Sequence, residues 1–182
     1  MTDEELGVLF PIRLVEPNDN WPQIFEEEKE KLLAVFNDLK DIRIEHIGST
    51  AIAGIKAKDT IDILMEVPEN IPGKTIIERI CKEGYEYTQQ LDNPPPHMMF
   101  VKGYTINGFR GQAFHIHVRY FGDWNEIYFR DYLRAHKEVA REYEAIKIEL
   151  EGMHRNNRET YTEAKTKFVE EINDIAKKEK KE

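Results

Sequence analysis

The chain has 182 residues, 40% of them hydrophobic, which suits one domain with a real core. Its net charge of −9 excludes the basic face that non-specific nucleic-acid binding needs, but leaves room for a local basic site for one phosphorylated small molecule. Cys81 is the only cysteine, which excludes a disulfide framework and a cysteine-based zinc cluster.

In chain order, Asn20-Trp21-Pro22-Gln23 reads as a capping box with proline in the first turn. Ile24, Phe25, Leu32, Leu33, Phe36 and Leu39 then follow helical spacing. Strands are predicted over residues 42–47 and 60–67, with Gly48-Ser49-Thr50 just after the first. Gly73 and Lys74 open an amphipathic helix that ends near Gly84, with Cys81 on it as a small core residue. Residues 85–89 form a short strand. Pro94-Pro95-Pro96 rules out regular structure where it stands. Residues 98–102 and 112–120 read as two strands joined by a glycine-bearing turn. From Ile127 to Leu150 apolar residues recur every three or four positions, as one long helix or two in sequence. Thr160-Tyr161-Thr162-Glu163 reads as a second capping box, and the Lys/Glu tail after Ala176 as fraying helix or disorder. The expected fold is α+β: a single domain over 1–182, with a mixed sheet in 1–122 and helices packed on it from 123–182. No secretory pattern opens the chain and no apolar run is long enough to span a bilayer, so a cytoplasmic protein with no membrane partner is expected, as a monomer or homodimer.

Strand periodicity sorts side chains by face. Ile61, Ile63, Met65 and Val67 point one way; Asp62, Leu64 and Glu66 point the other. In the later strand Phe114, Ile116, Val118 and Tyr120 oppose His115, His117 and Arg119. If these strands are neighbours, an acidic row lies beside a His/Arg row, as a metal or phosphate site would require; the alternative is a solvated sheet face. Asp62 is the stronger candidate, because an acid inside an Ile-rich strand is costly unless paired or bound, whereas Glu66 reads as a solvated strand end. The Gly48-Ser49 turn lets backbone approach a phosphate. Lys58 lies in the loop before Asp62, and the pairs Tyr143/Lys147 and Tyr161/Lys165 share helix faces.

Glu45-His46-Ile47-Gly48-Ser49-Thr50, followed by Lys58 and Ile61-Asp62-Ile63, resembles the signature of the GrpB family, placed in the nucleotidyltransferase superfamily. The resemblance continues through Phe114-His115-Ile116-His117-Val118, through Phe129-Arg130-Asp131-Tyr132-Leu133-Arg134 and Tyr143 with Lys147, to Tyr161 and Lys165. It implies a nucleotidyltransferase-like fold, a triphosphate at the Gly-Ser turn, and carboxylates binding Mg²⁺. Carried over, Asp62 holds the metal, Gly48, Ser49, Thr50, Lys58, Arg119, Tyr161 and Lys165 hold nucleotide or phosphate, and His115 and His117 steady charge in the transfer. The second acid of the usual Asp-x-Asp or Asp-x-Glu falls on Leu64, which cannot bind metal. The expected function is nucleotidyl transfer from a nucleoside triphosphate to a small acceptor. The alternatives are a degenerate module that binds a nucleotide or phospho-ligand, linked to coenzyme A metabolism through family members fused to dephospho-CoA kinase, and an interaction protein with no ligand.

Overall fold

A computed structural model describes residues 2–180. Its framework is a five-stranded mixed sheet in the order β1-β2-β5-β4-β3, formed by β1 (Arg43–Ile47), β2 (Thr60–Val67), β3 (Glu86–Gln89), β4 (Met98–Thr105) and β5 (Gly108–Tyr120). The central pair, β2 and β5, runs parallel, and every other pair is antiparallel. The helices are α1 (Asp3–Leu9), α2 (Trp21–Val35), α3 (Gly73–Lys82), α4 (Asn125–Ala135), α5 (Lys137–His154) and α6 (Arg158–Glu179). This is the α+β class, with a mixed sheet between helices, that the sequence predicts.

The alternation along β2 decides which face is which. Ile61, Ile63 and Met65 are fully buried in one core with Ile116 and Val118 of β5, under Trp21, Phe25, Leu32 and Phe36 of α2 and its C-cap and Ile76 and Ile80 of α3. Burying each such side chain contributes about 1.5–3 kcal/mol before chain entropy is counted. The other face carries the helical half. There α4, α5 and α6 pack on one another and on the Ile52–Ile55 loop through Phe129, Leu133, Tyr143 and Ile172. The helical half therefore has its own small core, and an opening remains between it and the sheet.

Several local expectations are corrected. Asn20 does not cap α2: its φ of −85° and ψ of −12° are helical, so its side chain cannot reach back to the first turn. The last helix begins earlier than Thr160, at Arg158, with Asn157 accepting the Thr160 N–H at 3.0 Å. Glu66 is no solvated strand end: it is fully buried, and its Oε1 accepts from Trp124 Nε1 at 3.0 Å and from the Gly122 N–H at 3.2 Å. The helical run after Asp123 is two helices, broken at His136, whose φ of −118° and ψ of 84° lie outside the helical region. Helix α1 has no counterpart in the sequence prediction. The tail after Ala176 continues α6 as far as Glu179.

Candidate functional site

β2 and β5 are in register with Asp62 opposite His115, Leu64 opposite His117 and Glu66 opposite Arg119. The acidic row and the His/Arg row are thus neighbours on the face away from the main core. Asp62 Oδ1 lies 3.3 Å from His115 Nδ1 and 3.9 Å from His117 Nε2. Burial pushes the Asp62 carboxyl up, but the hydrogen bonds and charges of the two imidazoles outweigh it and hold the group well below the ordinary carboxylate range.

Gly48 sits directly under this carboxylate. It has φ +73° and ψ −171°, and a Cβ built on it would lie 2.6 Å from Asp62 Oδ2. Only glycine permits both the backbone shape and the approach. The 3₁₀ turn Ser49–Ala51 follows. Thr50 is buried; its hydroxyl donates to the Thr60 carbonyl at 3.2 Å and meets His46 Nε2 at 2.9 Å. Its hydroxyl proton therefore fastens the turn, and Thr50 remains among the residues lining the cleft between the sheet and the helical half. His46 stacks on Phe25, and burial, with Arg134 second, pushes it down to about 4, so it is neutral at pH 7.

Helices α5 and α6 close over the sheet and leave a cleft of about 440 Å³. Gly48, Ser49, Asp62, His115 and His117 lie on the sheet side, and Tyr143, Lys147, Tyr161 and Lys165 on the helical side. Lys58 and Arg158 line it as well. The Lys165 ammonium lies 4.5 Å and that of Lys58 5.8 Å from the Tyr161 ring centroid. These cations crowd one another. Burial first and then Lys165 push Lys147 down to about 7, while burial first and then Lys58 push Lys165 down to about 8. Lys147 is 2% exposed and donates to the Lys56 carbonyl. The Tyr161 hydroxyl is buried with no hydrogen-bond partner among the described residues.

The fold thus brings together Gly48, Ser49, Asp62, His115, His117, Lys58, Tyr161 and Lys165 from four separate segments. It does not bring Arg119, which is buried two positions further along β5, 5.8 Å from the Trp124 ring and 3.5 Å from Glu126. Glu45 faces the same side as Leu64 but is engaged by Arg130 at 2.7 Å. Leu64 is fully buried where a second carboxylate would stand, and Asp62, His115 and His117 are the one cluster of potential metal ligands among the described residues. A paired-carboxylate magnesium site therefore does not fit this donor set.

Sequence reasoning missed Arg158 and Tyr104. Lys102 and Tyr104 would share a face in a regular strand, yet Lys102 bonds Glu28 on the core side and Tyr104 Oη lies 2.7 Å from His115 Nε2 on the cleft side. A β-bulge between them, centred on Gly103 at φ +91°, flips Tyr104 across the sheet. Gly103 was the only signal for it in the sequence.

A family model described as GrpB protein matches residues 11–174. Glutamate-rich protein GrpB of Alkalihalophilus pseudofirmus is 38% identical over 166 residues, covering 87% of this chain and 92% of that protein. UPF0157 protein YqkA of Bacillus subtilis is 34% identical over 179 residues; they cover 95% of this chain but span only 50% of that protein's length. The crystal structure of conserved protein GrpB from Enterococcus faecalis superposes with a TM-score of 0.80 at 26% identity, covering 93% of this chain and 100% of that one.

Proposed function

The chain belongs to the GrpB family, and from that premise we propose that its cleft binds a phosphorylated small molecule of the nucleoside triphosphate class and transfers its nucleotidyl group to a small acceptor, breaking the bond between the α-phosphorus and the bridging oxygen and releasing pyrophosphate. The convergence of Lys58, Lys147, Lys165 and Arg158 above the Gly48-Ser49 turn is the observation that supports this function best. A cluster of buried ammonium groups opposes its own protonation. A polyanion relieves that opposition, so the cleft gains most from ligands carrying several phosphate charges.

Phosphoryl transfer asks a protein mainly for positioning and charge stabilisation. In this cleft Lys58 and Lys165 meet phosphate oxygens, the Ser49 hydroxyl hydrogen-bonds them, and Gly48 lets them approach the backbone. The Tyr161 ring holds the two ammonium groups in place. His115 and His117, anchored by Asp62, face charge developing at the transferred group.

Buried Leu64 favours a second function, in which the same ligand is held without turnover. One set of measurements separates the possibilities. Thermal melts are recorded with nucleoside mono-, di- and triphosphates and coenzyme A precursors, with and without Mg²⁺ or Mn²⁺, on wild type, Lys165→Met and Asp62→Asn. A ligand of the native state raises its melting temperature by mass action. A triphosphate shift lost in Lys165→Met is expected. Turnover of the bound nucleotide that Asp62→Asn abolishes supports transfer, and a shift without turnover leaves binding alone. No shift with any phosphorylated compound refutes both.

A further inference from the structure

Asp62, His115 and His117 each offer one ligand atom, and all of these atoms lie within 4.8 Å of one another. Around a cation with bonds of about 2.1 Å, neighbouring ligand atoms are about 3.0–3.4 Å apart. The 3.3 Å from Asp62 Oδ1 to His115 Nδ1 already has that value, and the 3.9 Å to His117 Nε2 needs only a small rotation of a partly exposed ring. Two imidazole nitrogens and one carboxylate oxygen are the donors that zinc, iron(II), cobalt(II) and nickel(II) prefer, whereas magnesium wants oxygen ligands. We infer that Asp62, His115 and His117 form a three-ligand site for a borderline first-row divalent cation in place of the magnesium pair implied by the superfamily.

Tyr104 supplies an independent reason. Its hydroxyl lies 2.7 Å from His115 Nε2, the nitrogen that faces away from Asp62, and the two rings stack with centroids 5.5 Å apart. A metal-bound histidine nearly always hydrogen-bonds through its second nitrogen, which fixes the ring and its tautomer. With Nε2–H donated to Tyr104, a cation that displaces the proton Nδ1 shares with Asp62 takes the Nδ1 lone pair and releases that proton to solvent. The bulge at Gly103 exists in the strand that carries Tyr104, and turns that residue toward His115. The Gly48 turn fixes the carboxylate from the other side, against Oδ2, so Oδ1 is the atom left for the metal. The remaining coordination positions face the cleft, where an anionic ligand held by Lys58 and Lys165 would reach them. The site stands on its three donors whether or not that ligand is a nucleotide.

The test titrates Zn²⁺, Co²⁺ and Mg²⁺ into metal-stripped protein without nucleotide, by calorimetry and, for Co²⁺, by visible absorption. Wild type is expected to bind one Zn²⁺ or Co²⁺ per chain, more tightly than Mg²⁺ by about tenfold or more. His117→Gln is expected to lose the cobalt absorption while melting like wild type in chelator. Tyr104→Phe is expected to weaken Zn²⁺ by about 10–100-fold with the three ligands intact. Lys165→Met, expected to lose the phosphate ligand, is expected to bind Zn²⁺ at least as well as wild type. Mg²⁺ binding as tight as Zn²⁺, or a cobalt spectrum unchanged in His117→Gln, overturns the inference. If His117→Gln does not fold, ¹⁵N resonances of the wild-type His115 and His117 rings decide: a shift on adding Zn²⁺ supports the site and no shift refutes it.

Discussion

Gly48→Ala is the sharpest perturbation of the site that adds only one carbon. At φ +73° and ψ −171° the backbone lies in a region that is essentially restricted to glycine, so any side chain there costs about 1–3 kcal/mol. The new methyl would also lie 2.6 Å from Asp62 Oδ2 and 3.1 Å from Asp62 Cβ. Nothing tolerates that separation, so Asp62 must move away from His115 and His117. Asp62 is about one-third exposed, so losing those contacts adds only about 0–1 kcal/mol. The sum is about 1–4 kcal/mol, which in a domain of this size lowers the melting temperature by about 2–16 °C. Gly54→Ala is the control. Gly54 also has positive φ, +81°, but a Cβ there meets nothing within 4 Å. Calorimetric melts of both variants, each with and without a phospho-ligand, check the prediction. Gly48→Ala should be the less stable of the two and should lose the ligand shift, whereas Gly54→Ala should keep it. Equal stability of the two variants, or a normal ligand shift in Gly48→Ala, would refute the placement of Asp62 against the turn.

Three further outcomes are expected. Lys147 and Lys165 are held down to about 7 and about 8, so at pH 8 they are largely and about half deprotonated; binding a polyanion should draw in about one proton, visible as a dependence of calorimetric heat on buffer ionisation. Proton release, or none exchanged, would count against phosphate contact with these lysines. His46 is neutral in the fold down to about 4 but takes up a proton near its ordinary 6.5 when unfolded. The unfolded state therefore binds more protons between these values, and stability should fall by up to ~3 kcal/mol as pH drops from about 6.5 to about 4; His46→Gln should flatten that part of the melting profile. Trp124→Phe removes the indole N–H bonded to buried Glu66 and should cost about 1–3 kcal/mol in urea unfolding while leaving ligand binding unchanged, since Glu66 lies outside the cleft.

Most of the sheet was legible because period-two alternation needs no partner to be read. Ile61, Ile63, Met65 and Val67 against Asp62, Leu64 and Glu66 assign both faces of β2 from the sequence alone, and the same holds for His115 and His117 in β5. That rule has no depth, however. It grouped Arg119 with the histidines because they share a face, whereas helix α4 and Trp124 cover the far end of that face and bury Arg119 and Glu66. Periodicity showed Lys147 and Lys165 only as helical partners of Tyr143 and Tyr161, and it took the family resemblance to assign Lys165 to phosphate; their approach to Asp62 depends on how α5 and α6 dock, which no local pattern encodes. Tyr104 was hidden for a different reason, since a bulge reverses the parity on which face assignment relies. Asn20 and Thr160 show the same weakness at helix ends, where a capping pattern fits several neighbouring starts and backbone angles choose among them.

The charge distribution explains how an acidic chain can hold a phosphate site. The net charge is −9, yet Lys58, Lys147, Lys165 and Arg158 line one cleft, with Asp62 as the only acid lining it among the described residues. Potentials from exposed charges fade over a Debye length of about 10 Å at 0.1 M salt, while charges inside a partly closed cleft are screened far less. A long polyanion crossing the surface meets mainly repulsion, but one small polyanion that fits inside about 440 Å³ meets mainly attraction. Salt should therefore act differently on the two. A cleft ligand of three or four charges should lose only a few-fold in affinity between 50 and 200 mM salt, whereas a protein using 6–10 phosphate contacts on nucleic acid loses about 10³–10⁵ over that range. Fluorescence titration of a labelled nucleoside triphosphate across that salt series measures the slope. A steep loss, or tight binding of a single-stranded oligonucleotide at low salt, would mean that phosphates are gathered along the outer surface and not in the cleft between β2, β5 and the last two helices.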